Sequence, residues 1–301
     1  MIRKLSKIEI LLLLILICAF LVRVWRIDQI LGFHYDQGRD ALVIWDFIHN
    51  GKTFLIGPTT GIEGIFRGPW YYWLITPFYF LGNGNPIWPS VFLSFTTVVA
   101  IAIAYVLGVM VQGKVTGLVA AVIASFSFNL VYASRWLSNP TPMLLISMML
   151  VLAMFWALEK KKYAWPAIGF LAGMAMQFGS AAETFYIPAI IIFAIWQRKN
   201  LGSSKIILVS VIAFLIPFIP QIVFDIRHDF ILLDAIRKFV FEGKNFGGSS
   251  SWLFEIRPPL YFDVFNNKLF LAHHLYGAIF SAFAIFVLLV KGKTILKHKR
   301  F

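Results

Sequence analysis

The feature that most constrains this chain is a series of long apolar runs separated by short basic turns. They lie at 8–25, 87–111, 115–134, 142–158, 164–181, 184–196, 205–224 and 269–290. A helix needs about 20 apolar residues to cross a hydrocarbon layer of about 30 Å. In that solvent the backbone must satisfy its own hydrogen bonds, so the runs read as helices. The expected fold is all-α: a polytopic helical membrane protein with about eight transmembrane helices, forming one membrane domain over 1–301. Composition agrees, with 14% charged residues where a soluble domain carries about 25%. The net charge of +13 does not point to nucleic acid, because the basic residues sit in short clusters between apolar runs. The single cysteine, Cys18, lies inside an apolar run and forms no intrachain disulfide.

Charge sets the orientation. With 1–7 inside, the inner segments are 1–7, 112–114, 159–163, 197–205 and 291–301. They hold Arg3, Lys4, Lys7, Lys114, Lys160, Lys161, Lys162, Arg198, Lys199, Lys205, Lys291, Lys293, Lys297, Lys299 and Arg300, against one acid, Glu159. The outer segments 26–86, 135–141, 182–183 and 225–268 hold nearly all other acids. The positive-inside rule then places both termini in the cytoplasm of a multi-pass cell-membrane protein. Residues 69–81 are apolar but too few to span, so they read as an interfacial or re-entrant helix. Counting them as a span would put Lys160, Lys161 and Lys162 outside. The N-terminal run reads as an uncleaved anchor, since no small-x-small cleavage site follows it.

The two long outer loops carry further helices. In 26–86, Ala41, Ile44, Trp45 and Ile48 make an apolar stripe that predicts a helix over 37–49. In 225–268 an interfacial helix is expected over 229–241, followed by a flexible break at Gly247-Gly248-Ser249-Ser250-Ser251.

Charges in such a chain persist where they are solvated, paired or used. No Walker phosphate loop, dinucleotide fingerprint or His-Glu-x-x-His zinc site occurs. An enzyme on the outer face would draw its activated substrate from the membrane. In His34-Tyr35-Asp36-Gln37-Gly38-Arg39-Asp40, helical spacing puts Asp36 and Asp40 on one face beside Arg39. Either Asp36 is a general base toward a hydroxyl, or it caps the helix while Asp40 pairs with Arg39. Arg67 precedes Gly68-Pro69-Trp70-Tyr71-Tyr72-Trp73. It reads as a bidentate phosphate ligand or as a snorkelling arginine in an aromatic belt. Arg135 and Asn139 mark the outer end of the third run, where an Asn-Pro turn competes with a sugar-binding role. Glu183 lies in a tight outer turn, either solvated or facing a site, and Asp225-Ile226-Arg227-His228-Asp229 forms a second outer charged cluster.

Taken in order, Asp36-Gln37-Gly38-Arg39-Asp40, Gly68-Pro69-Trp70-Tyr71-Tyr72, Arg135 with Asn139-Pro140, and Phe224-Asp225-Ile226-Arg227-His228 resemble the GT-C superfamily of polyprenyl-phosphate-sugar glycosyltransferases. Similar members are the protein O-mannosyltransferases and the lipid A aminoarabinose transferases. The resemblance covers residues 1 to about 230. It implies Asp36 as the catalytic acid of the first outer loop and Arg67 as the ligand of the lipid-linked phosphate; the mechanism expected here adds Arg135 beside Arg67. Arg39 and Asp40 would support the loop, and Tyr71, Asn139, Glu183 and His228 would face substrate. Asn139 stands where the family often has a second acid, which bears on a divalent metal bridged by two acids; no other cofactor is implied. Members of the superfamily run longer, so the chain reads as C-terminally short.

The function expected on this resemblance is transfer of a sugar from a polyprenyl-phosphate donor to a hydroxyl of a lipid, glycan or protein acceptor, on the outer face of the membrane. The rivals are a lipid or small-molecule transporter or flippase, and an inactive assembly partner. Transporters carry polar groups at mid-membrane on interrupted helices, whereas the charges here cluster at helix ends.

Overall fold

The computed structural model describes residues 6–241, 257, 259–267 and 273–296. The chain divides into two units, Met1–Ile236 and Arg237–Phe301. The first begins with α1 (Lys7–Val24), α2 (Ile27–Ile30), α3 (Tyr35–Asn50) and α4 (Trp70–Leu81). It continues through α5 (Ile87–Gln112), α6 (Lys114–Phe126), α7 (Phe128–Ser134), α8 (Met143–Leu158) and α9 (Ala164–Phe178). Then come α10 (Tyr186–Trp196), α11 (Ser204–Leu215), α12 (Ile219–Arg227) and α13 (Ile231–Phe241), the last running past the unit boundary. Among the described residues there is no strand, only an isolated antiparallel bridge between Thr59 and Phe66. In the second unit, helix His274–Leu296 follows Asn266, whose side chain donates to the Phe262 carbonyl at 2.9 Å.

The all-helical expectation holds. By length and composition, two helices suffice to cross a membrane: Ile87–Gln112, and Ser204–Arg227, which comprises α11, a 3-10 turn and α12. A third is added if the bent pair α6–α7, kinked by 61°, counts as one. α1 has 18 residues but carries Lys7, Glu9 and Arg23. α8, α9 and α10 have 16, 15 and 11 residues, which at 1.5 Å per residue rise roughly 17–24 Å. The apolar runs at 164–181 and 184–196 are shortened by a break at Gly179 and a 3-10 turn at Ala181–Phe185, which continuous hydropathy conceals. α4, with 12 residues, rises roughly 18 Å, too little to cross. The expected break at 247–251 and the start of the 269–290 run lie outside the described residues.

The kink at Ser127 leaves helix carbonyls without partners, and such groups must be satisfied when buried. Arg23, fully buried, donates to the Ser125 and Ala124 carbonyls at 2.9 and 3.1 Å. Elsewhere small residues let backbones touch. A methyl added at Gly169 would lie 2.2 Å from the Ser210 carbonyl oxygen, and one at Gly173 would lie 2.4 Å from that of Phe214. These two glycines, one turn apart on α9, allow α11 to lie against it.

Two helix starts differ from expectation for a local reason. α3 begins at Tyr35 because the Gln37 side chain accepts the His34 N–H at 2.9 Å. Asp36 therefore lies within the first turn and is not the cap. α13 begins at Ile231 because Asp229 and Phe230 take left-handed φ angles of 55° and 60°. The Asp225 carboxylate then caps its first turn, accepting from Leu232 N at 2.7 Å. The core that carries the segment 26–86 joins α3, α4, α5, α8 and α9 through Ile44, Tyr72, Ile75, Leu93, Ile146 and Phe178.

Candidate active site

Arg39 is the hub of the first charged cluster. Its Nη1 donates to Asp36 Oδ1 at 2.9 Å and to Thr59 Oγ1 at 3.0 Å. Its Nε and Nη2 donate to Asp40 Oδ1 at 3.0 and 2.8 Å. The Tyr72 hydroxyl donates to the same Asp40 oxygen at 2.8 Å. The two acids therefore differ in kind. The Asp40 side chain is 8% exposed and closed in by its partners, while that of Asp36 is 69% exposed. Burial lifts the Asp40 carboxyl above the ordinary aspartate range, against the hydrogen bonds from Arg39 and Tyr72. For Arg39, burial acts downward but the Asp40 contacts win and hold it above the ordinary arginine value. Burial prevails at Asp40 and not at Arg39 because Asp40 lies deeper.

Thr59 leads to Arg67, because Thr59 bridges to Phe66. Residues 57–60 and 65–67 run antiparallel: Gly57 N–H donates to Arg67 O at 2.7 Å, Arg67 N–H to Pro58 O at 3.1 Å, and Thr60 N–H to Ile65 O at 3.1 Å. On the other edge of the same segment, Gln177 Oε1 accepts the Gly68 N–H at 2.7 Å. Gln177 Nε2 donates to Gln221 Oε1 at 2.7 Å, and Gln221 Nε2 donates to Phe66 O at 2.8 Å. Trp70 Nε1 adds a bond to Pro217 O at 2.7 Å. The Arg67 guanidinium has no hydrogen bond or ion pair among the described residues. Burial lowers its proton affinity, and the nearby Glu183 charge acts against that.

The other predicted residues have definite surroundings. Glu183 is not an isolated turn residue: its carboxylate accepts the Ser180 N–H, and the Ser180 hydroxyl at 2.9 Å, at the start of the 3-10 turn. Arg135 donates through Nε to Arg23 O at 3.1 Å and through Nη2 to Val22 O, closing the C-terminal end of α1. Asn139, 5% exposed, donates to Phe178 O at 2.7 Å and Gln177 O at 3.3 Å, tying the Asn-Pro turn to α9. Tyr71 is 1% exposed, inside the core. His228 is exposed, with Nδ1 against Phe224 O at 2.7 Å and its ring stacked on Phe224 at 4.0 Å. Among the described residues, no hydrogen bond, ion pair or ring contact joins it to the Asp36 or Arg67 groups.

These donors do not make a divalent-cation set. Asp36 and Asp40 share a guanidinium, and the Asn139 amide is bonded to backbone carbonyls. Among the described residues no group of three His, Cys, Asp or Glu side chains gathers.

Sequence reasoning does not single out Gln37, Gln177 or Gln221. Gln37, 5% exposed, also donates to Leu137 O at 3.1 Å, tying α3 to the 135–140 turn. The available signal for the other two is a lone amide inside each of two apolar runs, a placement that demands a partner.

A family model described as dolichyl-phosphate-mannose-protein mannosyltransferase matches residues 67–224. No curated protein and no solved structure matches the chain.

Proposed function

The chain belongs to the dolichyl-phosphate-mannose-protein mannosyltransferase family, membrane glycosyltransferases of GT-C type that use a polyprenyl-phosphate sugar, and on that premise we propose that it transfers the sugar to a hydroxyl acceptor on the outer face of the membrane. The observation that carries this reading is Arg67, half-buried, with no hydrogen bond or ion pair to its guanidinium among the described residues, on a segment hydrogen-bonded along both edges. A planar fork carried on a segment held this way matches a phosphate oxygen pair.

In the proposed reaction the acceptor oxygen attacks the anomeric carbon and its proton passes to Asp36, whose exposed carboxylate is open to a substrate. The bond from the anomeric carbon to the phosphate oxygen breaks, and that oxygen leaves with the electron pair on the lipid phosphate, where Arg67 stabilises the charge. One displacement inverts the anomeric configuration. Arg39 and Asp40 hold the α3 turn against Thr59 and Tyr72. In this reading Arg135 and Asn139 serve the frame, since their donors are engaged by carbonyls. The orientation argued from loop charge puts these groups outside the membrane.

The test is turnover of purified protein with a polyprenyl-phosphate sugar and an acceptor hydroxyl, read as release of polyprenyl phosphate. Arg67→Ala should weaken polyprenyl-phosphate binding roughly 10- to 150-fold, the loss of a charge-assisted contact of about 1.5–3 kcal/mol. Polyprenol, the neutral lipid, should bind as before. Equal binding of both lipids by variant and parent would leave Arg67 a membrane-interface anchor and sink the reading.

A further inference from the structure

An extended segment presents its backbone polar groups alternately to its two edges. Around Arg67 both edges are occupied, but by different means. The N–H and C=O of residue 67 face Pro58 and Gly57. The flanking groups, Phe66 C=O and Gly68 N–H, face the opposite way and meet Gln221 and Gln177. Where a sheet would supply a third strand, this protein supplies two side-chain amides joined head to tail, from α9 and α12.

The sense of that chain is fixed at its ends. The Gly68 N–H only donates, so Gln177 must offer its oxygen; the Phe66 carbonyl only accepts, so Gln221 must offer its NH2. The remaining amide groups then meet as donor and acceptor, at 2.7 Å. Gln177 is 2% exposed, and a side-chain amide at that depth is costly unless bonded. With hydrogen bonds to the backbone on both edges, the point from which the Arg67 side chain leaves is fixed without any contact to its guanidinium.

We infer that Gln177 and Gln221 are positioning residues for Arg67, forming a two-amide clasp that aims its guanidinium at the donor phosphate. This rests on the reading that Arg67 binds that phosphate. Gln177→Met removes the clasp with an apolar side chain of similar size. Gln177→Glu keeps the acceptor for Gly68 but sets oxygen against oxygen at Gln221, so it should be no better than Met.

The experiment measures binding of polyprenyl phosphate and of polyprenol of equal chain length, with melting temperature alongside. The proteins are the parent, Gln177→Met, Arg67→Ala and the double variant. Gln177→Met should weaken the phosphate lipid roughly 3- to 10-fold, the range of a lost amide hydrogen bond, and leave polyprenol unchanged. In the Arg67→Ala background the same substitution should have no further effect on the phosphate lipid, because the group it aims is gone. Should Gln177→Met fail to fold, Gln221→Met takes its place, at a half-buried position. Equal losses for both lipids, or effects that multiply independently in the double variant, would overturn the clasp and leave the functional reading standing. If Arg67→Ala itself binds both lipids like the parent, the functional reading falls and the inference with it.

Discussion

The Tyr72 hydroxyl on α4 and the Asp40 carboxylate on α3 are 2.8 Å apart, joined through the oxygen that also takes two bonds from Arg39. This one carboxylate oxygen ties two helices and the arginine that reaches Asp36 and Thr59. The two acids that share a helix face in the sequence are thus a buried anchor and an exposed group held beside it. Tyr72→Phe should cost about 1.5–3 kcal/mol of stability, the range for a hydrogen bond to a charge. Asp40→Leu should cost more, because it removes the acceptor of both the Tyr72 hydroxyl and two Arg39 donors, although Arg39 keeps Asp36 and Thr59. Thermal unfolding of the purified variants checks the order, and an equal cost for both would mean the Asp40–Arg39 contact contributes nothing.

Asp36→Asn separates chemistry from architecture. The Asp36 side chain is 69% exposed, and its contact with Arg39 is one surface ion pair, worth about 0–1 kcal/mol. The variant should fold and bind polyprenyl phosphate like the parent while turnover falls at least about 10²-fold, the lower end of general acid–base effects. A near-normal rate would reduce Asp36 to a partner of Arg39.

Two glycines at the Arg67 segment rank by what a methyl would strike. At Gly57 it would lie 2.1 Å from the Gly68 backbone oxygen, which cannot swing aside. At Gly68 it would lie 2.3 Å from Gln177 Oε1, a side-chain atom that can retreat by giving up its bond. Gly57→Ala should therefore destabilise more than Gly68→Ala, the latter by about 1–3 kcal/mol. Gly68→Ala should also weaken polyprenyl-phosphate binding, and the reverse order of stabilities would contradict the strand-like packing of this loop.

The helical class was readable because apolar runs of this length have few other outcomes, and the stripe of Ala41, Ile44, Trp45 and Ile48 marked α3 to within two residues at its start. The apolar stretch 69–81 marked α4 to within one residue. The interruptions were not readable. Ser127 looks like any small residue in an apolar run, and only Arg23, 102 positions from the Ser125 carbonyl it reaches, makes a kink tolerable there. The site divides the same way. Arg39 and Asp40 are neighbours in sequence, so their pairing was foreseeable. The hydrogen bond between Gly68 and Gln177 spans 109 positions, and that between Phe66 and Gln221 spans 155, so neither leaves a local spacing to read.

Membrane orientation is open to a direct measurement. From the loop charges Glu63 is expected outside, and Lys162 inside provided α4 does not cross. With 12 residues α4 rises roughly 18 Å, well short of the hydrocarbon thickness of about 30 Å. Both Glu63 and Lys162 are exposed, so cysteines there should react without disturbing the core. The native Cys18 is also exposed, so the background carries Cys18→Ser. In intact cells a membrane-impermeant thiol reagent should label Glu63→Cys and spare Lys162→Cys until the membrane is opened. If α4 crossed, every later loop would change sides and both cysteines would label from outside. Same-side labelling would thus reverse the orientation argued from Lys160, Lys161 and Lys162. The joint between α4 and α5 would then lie inside, and the Arg67 segment would be the outer mouth of a crossing helix instead of the start of one lying along the surface.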